Sequence, residues 1–431
     1  MKWLQPVLRW AAAVAMAWPL LAPAQDFLPD PGRVRTAIEA YAEVRAADAG
    51  LTQAREAARA LVAGPHETQL NLAPLRRRAT DPGIPGGHAR YNEWTVELSR
   101  PLRLPGKAAL DQESGAHAIA AAEFRQGDAQ HEAARSLLAA WMGWLRAEAV
   151  AGAAQARYDS LMHEHASLQR RLALGDAAQR EVDQLAAALA SARADRQQTQ
   201  ADAQAQRLFL DNNFPQVPVP AQPPALPAPV PLEGAPEDWI TRIVAHNHQL
   251  GALEETAAQH DALARRAQAE RMPDPTVGLR TFSERGGLER GLGMVLSVPL
   301  SGTRRDAEAR SQLAAAEVAR HQAGAMRRDA LREARLVVTR AQLALSLWQA
   351  ARDARDAHTA SLKRQRRAYD LGEIGLAERL QAERLEADAA LVELRARADA
   401  HEALLRVRVD GHTMWDWEEE TAQAGDHGAS E

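Results

Sequence analysis

Histidine is the residue type in this chain best suited to bind a metal ion, so its spacing is the first feature to consider. The histidines that stand out are the pairs His163-x-His165 and His246-x-His248 and the single residues His66 and His88. None of them forms an i,i+4 pair around a glutamate, which is the arrangement of helical zinc metalloproteases. Since the chain also contains no Cys, we expect no dedicated metal site and no cofactor.

Acidic residues at a repeated spacing form the second chemical feature. Six residues after Gly175 and after Gly372 stand Glu181 and Glu378, and Asp183 follows the first of them. Carboxylates gathered in one assembly attract cations and repel anions. The alternative is that they are solvated charges on helices, because 25% of all residues are charged. The sequence contains no Gly-rich phosphate loop and no nucleophile elbow, so we do not expect an enzyme.

The composition of the 431-residue chain favours long helices over a large mixed core. It is rich in Ala, Leu, Glu, Gln and Arg, whereas aromatic residues make up only 4%. Such sequences form long helices that pack closely through small side chains. The net charge of -5 argues against nucleic-acid binding, which requires a basic surface.

The two ends of the sequence differ from the rest. Residues 1–24 combine Lys2 and Arg9 with an apolar run and a closing Ala22-Pro23-Ala24, which is typical of a cleaved secretory signal peptide. An uncleaved N-terminal anchor is the alternative. Residues 415–431 are acidic, and we expect them to be disordered. Without Cys, the exported chain would have no disulfide and no lipid attached through an N-terminal Cys.

The sequence between these ends repeats itself. The matching segments are Leu-Ser-x-Pro-Leu at 98–102 and 296–300, residues 119–123 and 313–317, and Leu174-Gly175-Asp176 with Leu371-Gly372-Glu373. The offsets of the three matches are similar, at 198, 194 and 197 residues, and a similar offset along the chain indicates an internal duplication. We therefore expect a first repeat at 25–213 and a second at 237–414. The Pro-rich residues 214–236 between them form either a strap along a packed body or a disordered hinge.

Each repeat contains one predicted β-hairpin, at residues 66–102 and 274–300. Apolar side chains alternate with polar or small ones in both, at Trp94, Val96 and Leu98 and at Leu292, Met294, Leu296 and Val298. Strands of about 10 to 12 residues are long enough to cross a membrane when tilted. Four strands cannot close a barrel by themselves. The hairpins are therefore either soluble, or several chains share one barrel.

Long helices follow each hairpin. Residues 106–174 and 303–371 contain no proline, and each stretch of about 69 residues would span roughly 100 Å as one helix. Shorter predicted helices return the chain, at 176–213 with 237–272 and at 373–409 with 33–64. After the first 24 residues no run of about 18 apolar residues occurs, so we expect no membrane-spanning helix.

The order of these features resembles the TolC-type outer-membrane efflux channel family. The resemblance rests on the two Leu-Ser-x-Pro-Leu strand ends, on MPDPTVGL at 272–279 and on the two Leu-Gly-(Asp/Glu) breaks. It implies a mainly α chain with a membrane β-barrel part: a homotrimer with a 12-stranded barrel above a periplasmic α-helical barrel. The sequence of residues 271–302 is similar to that of the cobalt-zinc-cadmium cation-efflux branch of this family. This similarity implies heavy-metal cations as cargo.

The resemblance also implies partners and residue roles. The chain would lie in the cell outer membrane, in contact with its lipid, and would work with a periplasmic adaptor (membrane fusion) protein and an inner-membrane RND-type pump. The residues implied for adaptor docking are Leu174, Gly175, Asp176, Leu371, Gly372 and Glu373. The periplasmic gate would use Glu378, Glu181 and Asp183, paired with Arg180 or Arg379 when closed. A soluble periplasmic coiled-coil adaptor or scaffold, whose glycines simply end helices, is the alternative.

Overall fold

The computed structural model describes residues 27–80 and 87–415. The first half comprises α1 (Pro31–Ala40), α2 (Ala42–Ala63), β1 (Gln69–Thr80), β2 (His88–Pro101), α3 (Lys107–Ala173) and α4 (Gln179–Asn213). The second half comprises α5 (Pro236–Ala245), α6 (His248–Ala269), β3 (Thr276–Glu284), a 3-10 turn (Arg285–Gly287), β4 (Glu289–Ser297), α7 (Thr303–Asp370) and α8 (Leu376–Asp410). The predicted signal peptide and the predicted acidic tail beyond residue 415 lie outside the described residues.

Each helix of the first half has a counterpart of equal or nearly equal length in the second. α1 and α5 have 10 residues each and α2 and α6 have 22. α3 and α7 have 67 and 68 residues, and α4 and α8 have 35 each. At about 1.5 Å per residue, α3 and α7 are each roughly 100 Å long. The mainly helical fold class predicted from the sequence is confirmed.

Two of the four shorter helices, those predicted at 33–64 and 237–272, are divided, which the sequence did not predict. Tyr41 has extended backbone angles (φ -66°, ψ 138°) and separates α1 from α2. Between α5 and α6 the side chain of Asn247 accepts a hydrogen bond from the Leu250 backbone N–H at 2.8 Å. An Asn in this position satisfies a donor in the first turn of the new helix, so a helix starts there at little cost. None of the described helices has an apolar stretch long enough to cross a membrane.

The four strands form one antiparallel sheet in the order β1-β2-β3-β4. β1 starts at Gln69, three residues after the predicted start, and β2 starts earlier than the apolar alternation suggested. Val298, which the sequence assigned to the last strand, lies one residue beyond β4. The pairing of Thr276 with Ser297 is the last of the β3–β4 ladder. The next residue of the partner strand would be Pro275, which has no N–H to donate.

The largest buried cluster lies where α1, α3, α8 and the Pro-rich linker meet. Trp141 and Trp144 are at its centre, and Trp141 Nε1 donates to the Phe27 carbonyl at 2.8 Å. The linker packs on this cluster through Phe214 and Val217. Side chains of α4 and α8 also hold its carbonyls, at Val219 (Arg207, 3.0 Å), Leu226 (Arg397, 3.2 Å) and Pro227 (His401, 2.9 Å). This part of the linker therefore lies against the helices as a strap.

Candidate functional site: the strand face, the helical tips and their junction

One face of the sheet carries exposed apolar side chains in a continuous row. Leu70, Leu98, Leu279 and Met294 are register partners across all four strands. Their exposed fractions are 60%, 49%, 55% and 85%. Trp94 and Val96 share this face on β2, as do Leu292 and Leu296 on β4. A monomeric soluble protein rarely exposes so large a contiguous apolar patch, so this face is suited to an apolar environment.

The opposite face of the sheet carries paired charges. Arg280 Nη2 lies 2.6 Å from Glu97 Oε2. Glu93 is buried, and its Oε1 accepts from Arg77 Nη2 at 2.7 Å and from the Arg285 backbone N–H at 3.2 Å. Among the described strands, β1 and β4 each pair on one side only. One face of the sheet thus carries an apolar row, the opposite face carries paired charges, and the two edges have unpaired backbone groups.

The two long helices end in the same hydrogen-bond pattern. After α3, the Asp176 N–H donates to the Arg171 carbonyl at 2.8 Å and the Gly175 N–H to the Leu172 carbonyl at 3.0 Å. After α7, the corresponding bonds join Glu373 to Ala368 and Gly372 to Tyr369, both at 2.9 Å. This is the Schellman motif, whose C′ residue needs a positive φ. Gly175 and Gly372 both have φ +77°, so glycine is favoured at both tips.

The side chains of the two tips differ. Leu174 and Leu371 are both exposed, at 84% and 65%. The first tip is braced, because Arg171 Nε donates to Asp176 Oδ2 at 3.1 Å and its Nη2 to the Asp176 carbonyl at 3.1 Å. The hydrogen bonds and the neighbouring negative charge raise the pKa of Arg171. Glu373 has no such arginine partner among the described residues, so the second tip is the less restrained one.

The candidate gate carboxylates lie in the first turns of α4 and α8. Glu181 accepts a hydrogen bond from the Ala178 backbone N–H at 3.2 Å, and Asp183 accepts one from Gln179 at 2.9 Å. Both are therefore engaged at the start of α4. Glu378 is exposed on α8, and no cation of the described residues pairs with it. Of the three, Glu378 is the one without a hydrogen-bond or ion-pair partner among the described residues.

Arg379, a candidate partner of these carboxylates, points elsewhere. Its guanidinium forms an ion pair with Glu164 on α3 and lies over the Tyr369 ring at 4.6 Å. Burial lowers the pKa of Arg379 below its ordinary value. The pair joins the start of α8 to a helix of the other half. A closed gate made by Arg379 and Glu378 is therefore not the arrangement seen here.

A buried ionic network at the junction of sheet and helices was not found by sequence reasoning. Lys107, the first residue of α3, is buried, and its Nζ donates to Asp274 Oδ1 at 2.8 Å, Glu270 Oε2 at 3.0 Å and the Met272 carbonyl at 2.8 Å. Asp274 also accepts from the Leu104 backbone N–H at 2.9 Å. The MPDP segment before β3 is thereby tied to the start of α3. The only sequence signal was an isolated lysine in a chain whose cations are mostly arginine.

The acid stability of this junction depends on Asp274. Burial would raise its pKa, but hydrogen bonds from Lys107, the Leu104 N–H and His66 lower it to about 2. A carboxyl whose pKa is lower in the folded state stabilises it above the ordinary value near 4, and this stability is lost as the pH falls toward 2. The contribution is about 2 kcal/mol.

We expect Asp274→Asn to flatten the acid limb of the stability curve. The wild type should lose about 2 kcal/mol between pH 5 and pH 2 through this group, and the variant should lack that loss. The measurement is the denaturant midpoint of the purified protein at each pH. Asp261→Asn is the matched control, because the Asp261 side chain is 44% exposed. An unchanged acid limb in Asp274→Asn would contradict the assignment.

Histidines that are distant in sequence meet in the fold. The sequence spacing predicts no metal site, whereas the ligand atoms of His131, His248 and His412 all lie within 4.8 Å of one another. His248 belongs to the predicted His246-x-His248 pair, but the other two are not among the histidines singled out by spacing. His163, His165 and His88 lie outside this group. Only the packing of α3 against α6 and the end of α8 brings the three together.

Comparisons with known proteins rest on structure. No protein-family profile matches the chain, and no curated protein matches its sequence. The Campylobacter jejuni CmeC outer membrane channel is similar, with a TM-score of 0.69 and 15% identity over 98% of this chain and 97% of that one. The outer membrane protein VceC of Vibrio cholerae gives 0.69 and 21% over 87% and 95%. A membrane protein from Pseudomonas aeruginosa gives 0.73 and 18% over 94% and 99%.

These likenesses define the fold. They cover nearly the full length of this chain and of the solved proteins, and two of the three are described as outer membrane proteins. The chain therefore has the fold of these outer membrane proteins, with one sheet and two pairs of long helices.

Proposed function

We propose that the protein is one subunit of a passive trimeric channel in the outer membrane. Three chains would each contribute four strands to a common 12-stranded barrel, and their helices would form a tunnel in the periplasm. The observation that carries this proposal is the distribution of side chains on the sheet, with an exposed apolar row on one face and paired charges on the other. Lipid outside and water inside a barrel require this distribution.

The open edges of the sheet explain why several chains are needed. In lipid, every backbone N–H and C=O group must be hydrogen-bonded within the protein. Four strands are too few to close, since the smallest membrane barrels have about eight. Pairing β4 of one chain with β1 of the next satisfies both edges. The shared fold with solved outer membrane channels supports the same assembly.

A soluble periplasmic adaptor or scaffold remains the competing function, and the mass of the assembly separates the two. Native mass spectrometry of detergent-extracted outer membranes should show three chains. A monomer or dimer in the soluble periplasmic fraction would contradict the channel function and support the scaffold function. The exposed apolar row favours the channel, because it would aggregate in water.

We further propose that Glu378 forms the cation-attracting ring of a periplasmic gate, with Glu181 and Asp183 contributing charge nearby. Three symmetry-related carboxylates favour cations over anions. Replacing Glu378 with alanine should lower the cation-to-anion permeability ratio by on the order of two-fold. Planar-bilayer recordings measure this ratio. Asp388→Ala, which removes an exposed carboxylate further along α8, should leave it unchanged; equal ratios in Glu378→Ala and wild type would remove Glu378 from the gate.

The two helical tips are proposed to dock a periplasmic adaptor protein that connects the channel to an inner-membrane RND-type pump. The docking residues are Leu174, Gly175, Asp176, Leu371, Gly372 and Glu373. Leu371→Asp should weaken adaptor binding by about 10-fold or more, as expected for an exposed apolar anchor. Biolayer interferometry with the cognate adaptor measures the affinity. Val230→Asp, at a 68% exposed apolar residue of the linker, is the control and should bind like the wild type.

Heavy-metal cations are the proposed cargo. The sequence of residues 271–302 supports this through its resemblance to the cation-efflux branch, and an acidic gate would suit cations. Cells lacking the protein should become sensitive to Co²⁺, Zn²⁺ and Cd²⁺, and the wild-type gene should restore resistance. Sensitivity to drugs alone would assign a different cargo to the same channel.

A further inference from the structure

Three imidazoles from distant parts of the chain form a cluster inside the helical part of the protein. His131 lies within α3, His248 is the first residue of α6, and His412 follows the end of α8. Their ligand atoms all lie within 4.8 Å of one another. The His412 ring centroid is 5.2 Å from that of His131 and 5.2 Å from that of His248. No other such group of three His, Cys, Asp or Glu side chains occurs in residues 27–80 and 87–415.

The cluster is shielded from water, which favours the form of histidine that binds metals. His131 and His248 are 5% and 8% exposed, and His412 is half-buried. A neutral imidazole keeps one nitrogen lone pair for a metal ion, whereas a protonated one has none.

A carboxylate behind the cluster fixes the orientation of one ring. His131 Nε2 lies 3.2 Å from Asp410 Oδ1. Asp410 is itself held by Arg135 Nε at 2.8 Å and Arg406 Nε at 2.9 Å. Burial opposes its ionisation, but the His131 hydrogen bond and the two arginines hold the pKa of Asp410 well below its ordinary value. With Nε2 donating to this carboxylate, Nδ1 carries the lone pair, as in the carboxylate–histidine pairs that support metal sites.

The backbone adapts to the cluster at two points. His412 has φ +52° in a Schellman motif closed by the Thr413 N–H to the Arg408 carbonyl at 2.9 Å. The equivalent positions at the helical tips are Gly175 and Gly372, and a residue with a Cβ costs about 1 kcal/mol there. On α3, a Cβ at Gly127 would lie 2.8 Å from the His248 ring. The positive φ of His412 thus costs stability, and the absence of a side chain at Gly127 leaves room for the His248 ring.

We propose that His131, His248 and His412 bind one divalent transition-metal ion of the zinc class, such as Zn²⁺ or Co²⁺. Imidazole nitrogens suit these ions, and three histidines with one water form a tetrahedral site. Metal–nitrogen bonds of about 2.0 Å require nitrogens about 3.4 Å apart. The His131 and His412 rings stack with an interplanar angle of 16°, so binding requires at least one of these rings to turn until the nitrogen lone pairs converge on the ion. The ion ties α3 and α6 to the end of α8, so it joins the two halves of the chain as a structural element.

The neighbouring His246 is not one of the three residues whose ligand atoms lie within 4.8 Å of one another. Its Nδ1 lies 2.9 Å from the Arg242 carbonyl, and its ring stacks on His412 with centroids 4.8 Å apart. The metal site is independent of the proposed transport function, because it joins buried helical segments. Its ion stays bound as a structural part of the fold and is not transported. Failure of the channel proposal would therefore leave it intact.

The test is a metal titration of the full-length, tag-free protein after treatment with a chelator. Co²⁺ should give the d–d absorption of a tetrahedral histidine site at one ion per chain, and Zn²⁺ should displace it. His131→Ala, His248→Ala and His412→Gly should each lower the affinity by roughly 100-fold or more. His163→Ala, at an exposed histidine of the same long helix, is the matched control and should bind as the wild type does.

The His412→Gly variant separates loss of a ligand from loss of folding. Glycine suits φ +52° better than histidine, so the metal-free variant should melt at the same temperature as the metal-free wild type or above it. Zn²⁺ should raise the melting temperature of the wild type and not that of His412→Gly. Wild-type affinity in His412→Gly, or no Co²⁺ absorption in the wild type, overturns the proposal.

Discussion

Met294→Asp is expected to abolish the assembled trimer in the outer membrane, whereas Gly293→Asp is expected to preserve it. The two residues are adjacent on β4 and lie on opposite faces of the sheet. Met294 is 85% exposed and belongs to the apolar row with Leu98 and Leu279. Gly293 pairs in register with Arg280 on the charged inner face, and a Cβ added to it would meet no atom within 4 Å.

In the proposed barrel, the same carboxylate therefore enters lipid in one variant and water in the other. A charge on the lipid-facing side of a membrane strand costs about 1–3 kcal/mol per chain near the middle of the bilayer. This cost recurs in each of three chains. In Gly293→Asp the new carboxylate faces the Arg280 side of the sheet and costs little. We expect the two variants to differ in the amount of assembled trimer, because assembly depends on strand pairing between all three chains.

Heat-modifiable mobility of outer-membrane extracts and native mass spectrometry both report the trimer. The proposed function requires loss of the three-chain species in Met294→Asp and its retention in Gly293→Asp. Equal trimer yields in both variants would mean that the apolar row does not face lipid. Loss in both would instead indicate that β4 tolerates no charge, and Thr95→Asp on the inner face of β2 would then serve as the second control.

Local sequence signals predicted the elements of the fold well. The proline-free stretches predicted α3 and α7, and alternating apolar residues predicted β2 and β4, because both patterns are set by the geometry of a single segment. β1 and β3 were predicted as the hairpin partners before turn-like loops. Gly175 and Gly372 marked the helix ends for a related reason, since a positive φ at the end of a helix favours glycine. The breaks at Tyr41 and Asn247 were missed, because the apolar pattern continues across them.

Contacts between distant segments were not predictable in the same way. Lys107 gave no local sign of burial, and its partners Glu270 and Asp274 lie in the other half of the chain. His131 and His412 likewise have unremarkable neighbours in sequence. Their meeting depends on the relative positions of long packed helices, which no spacing rule within one segment describes. The buried ionic network of Lys107 and the histidine cluster are therefore the two sites that the sequence did not predict.

Lys107→Met is expected to destabilise the protein by about 3–5 kcal/mol, because it removes the cation from a buried network and leaves its carboxylates behind. Lys107 is 1% exposed, and all three donors of its ammonium are used. Glu270 keeps Arg266 and Arg305 as partners, at 2.6 Å and 2.8 Å. Among the described residues, Asp274 keeps only the Leu104 N–H and His66 as partners. The cost therefore falls mainly on Asp274.

A double variant distinguishes this electrostatic cause from loss of packing. If the stranded charge of Asp274 is the main cost, Lys107→Met/Asp274→Asn should be more stable than Lys107→Met alone. If Lys107 matters mainly by filling space, the second substitution should add to the loss. Denaturant unfolding of the detergent-solubilised protein measures both, and Lys363→Met, at an exposed lysine of α7, should unfold like the wild type. Additive costs in the double variant would show that the MPDP segment is held to α3 by shape and not by charge.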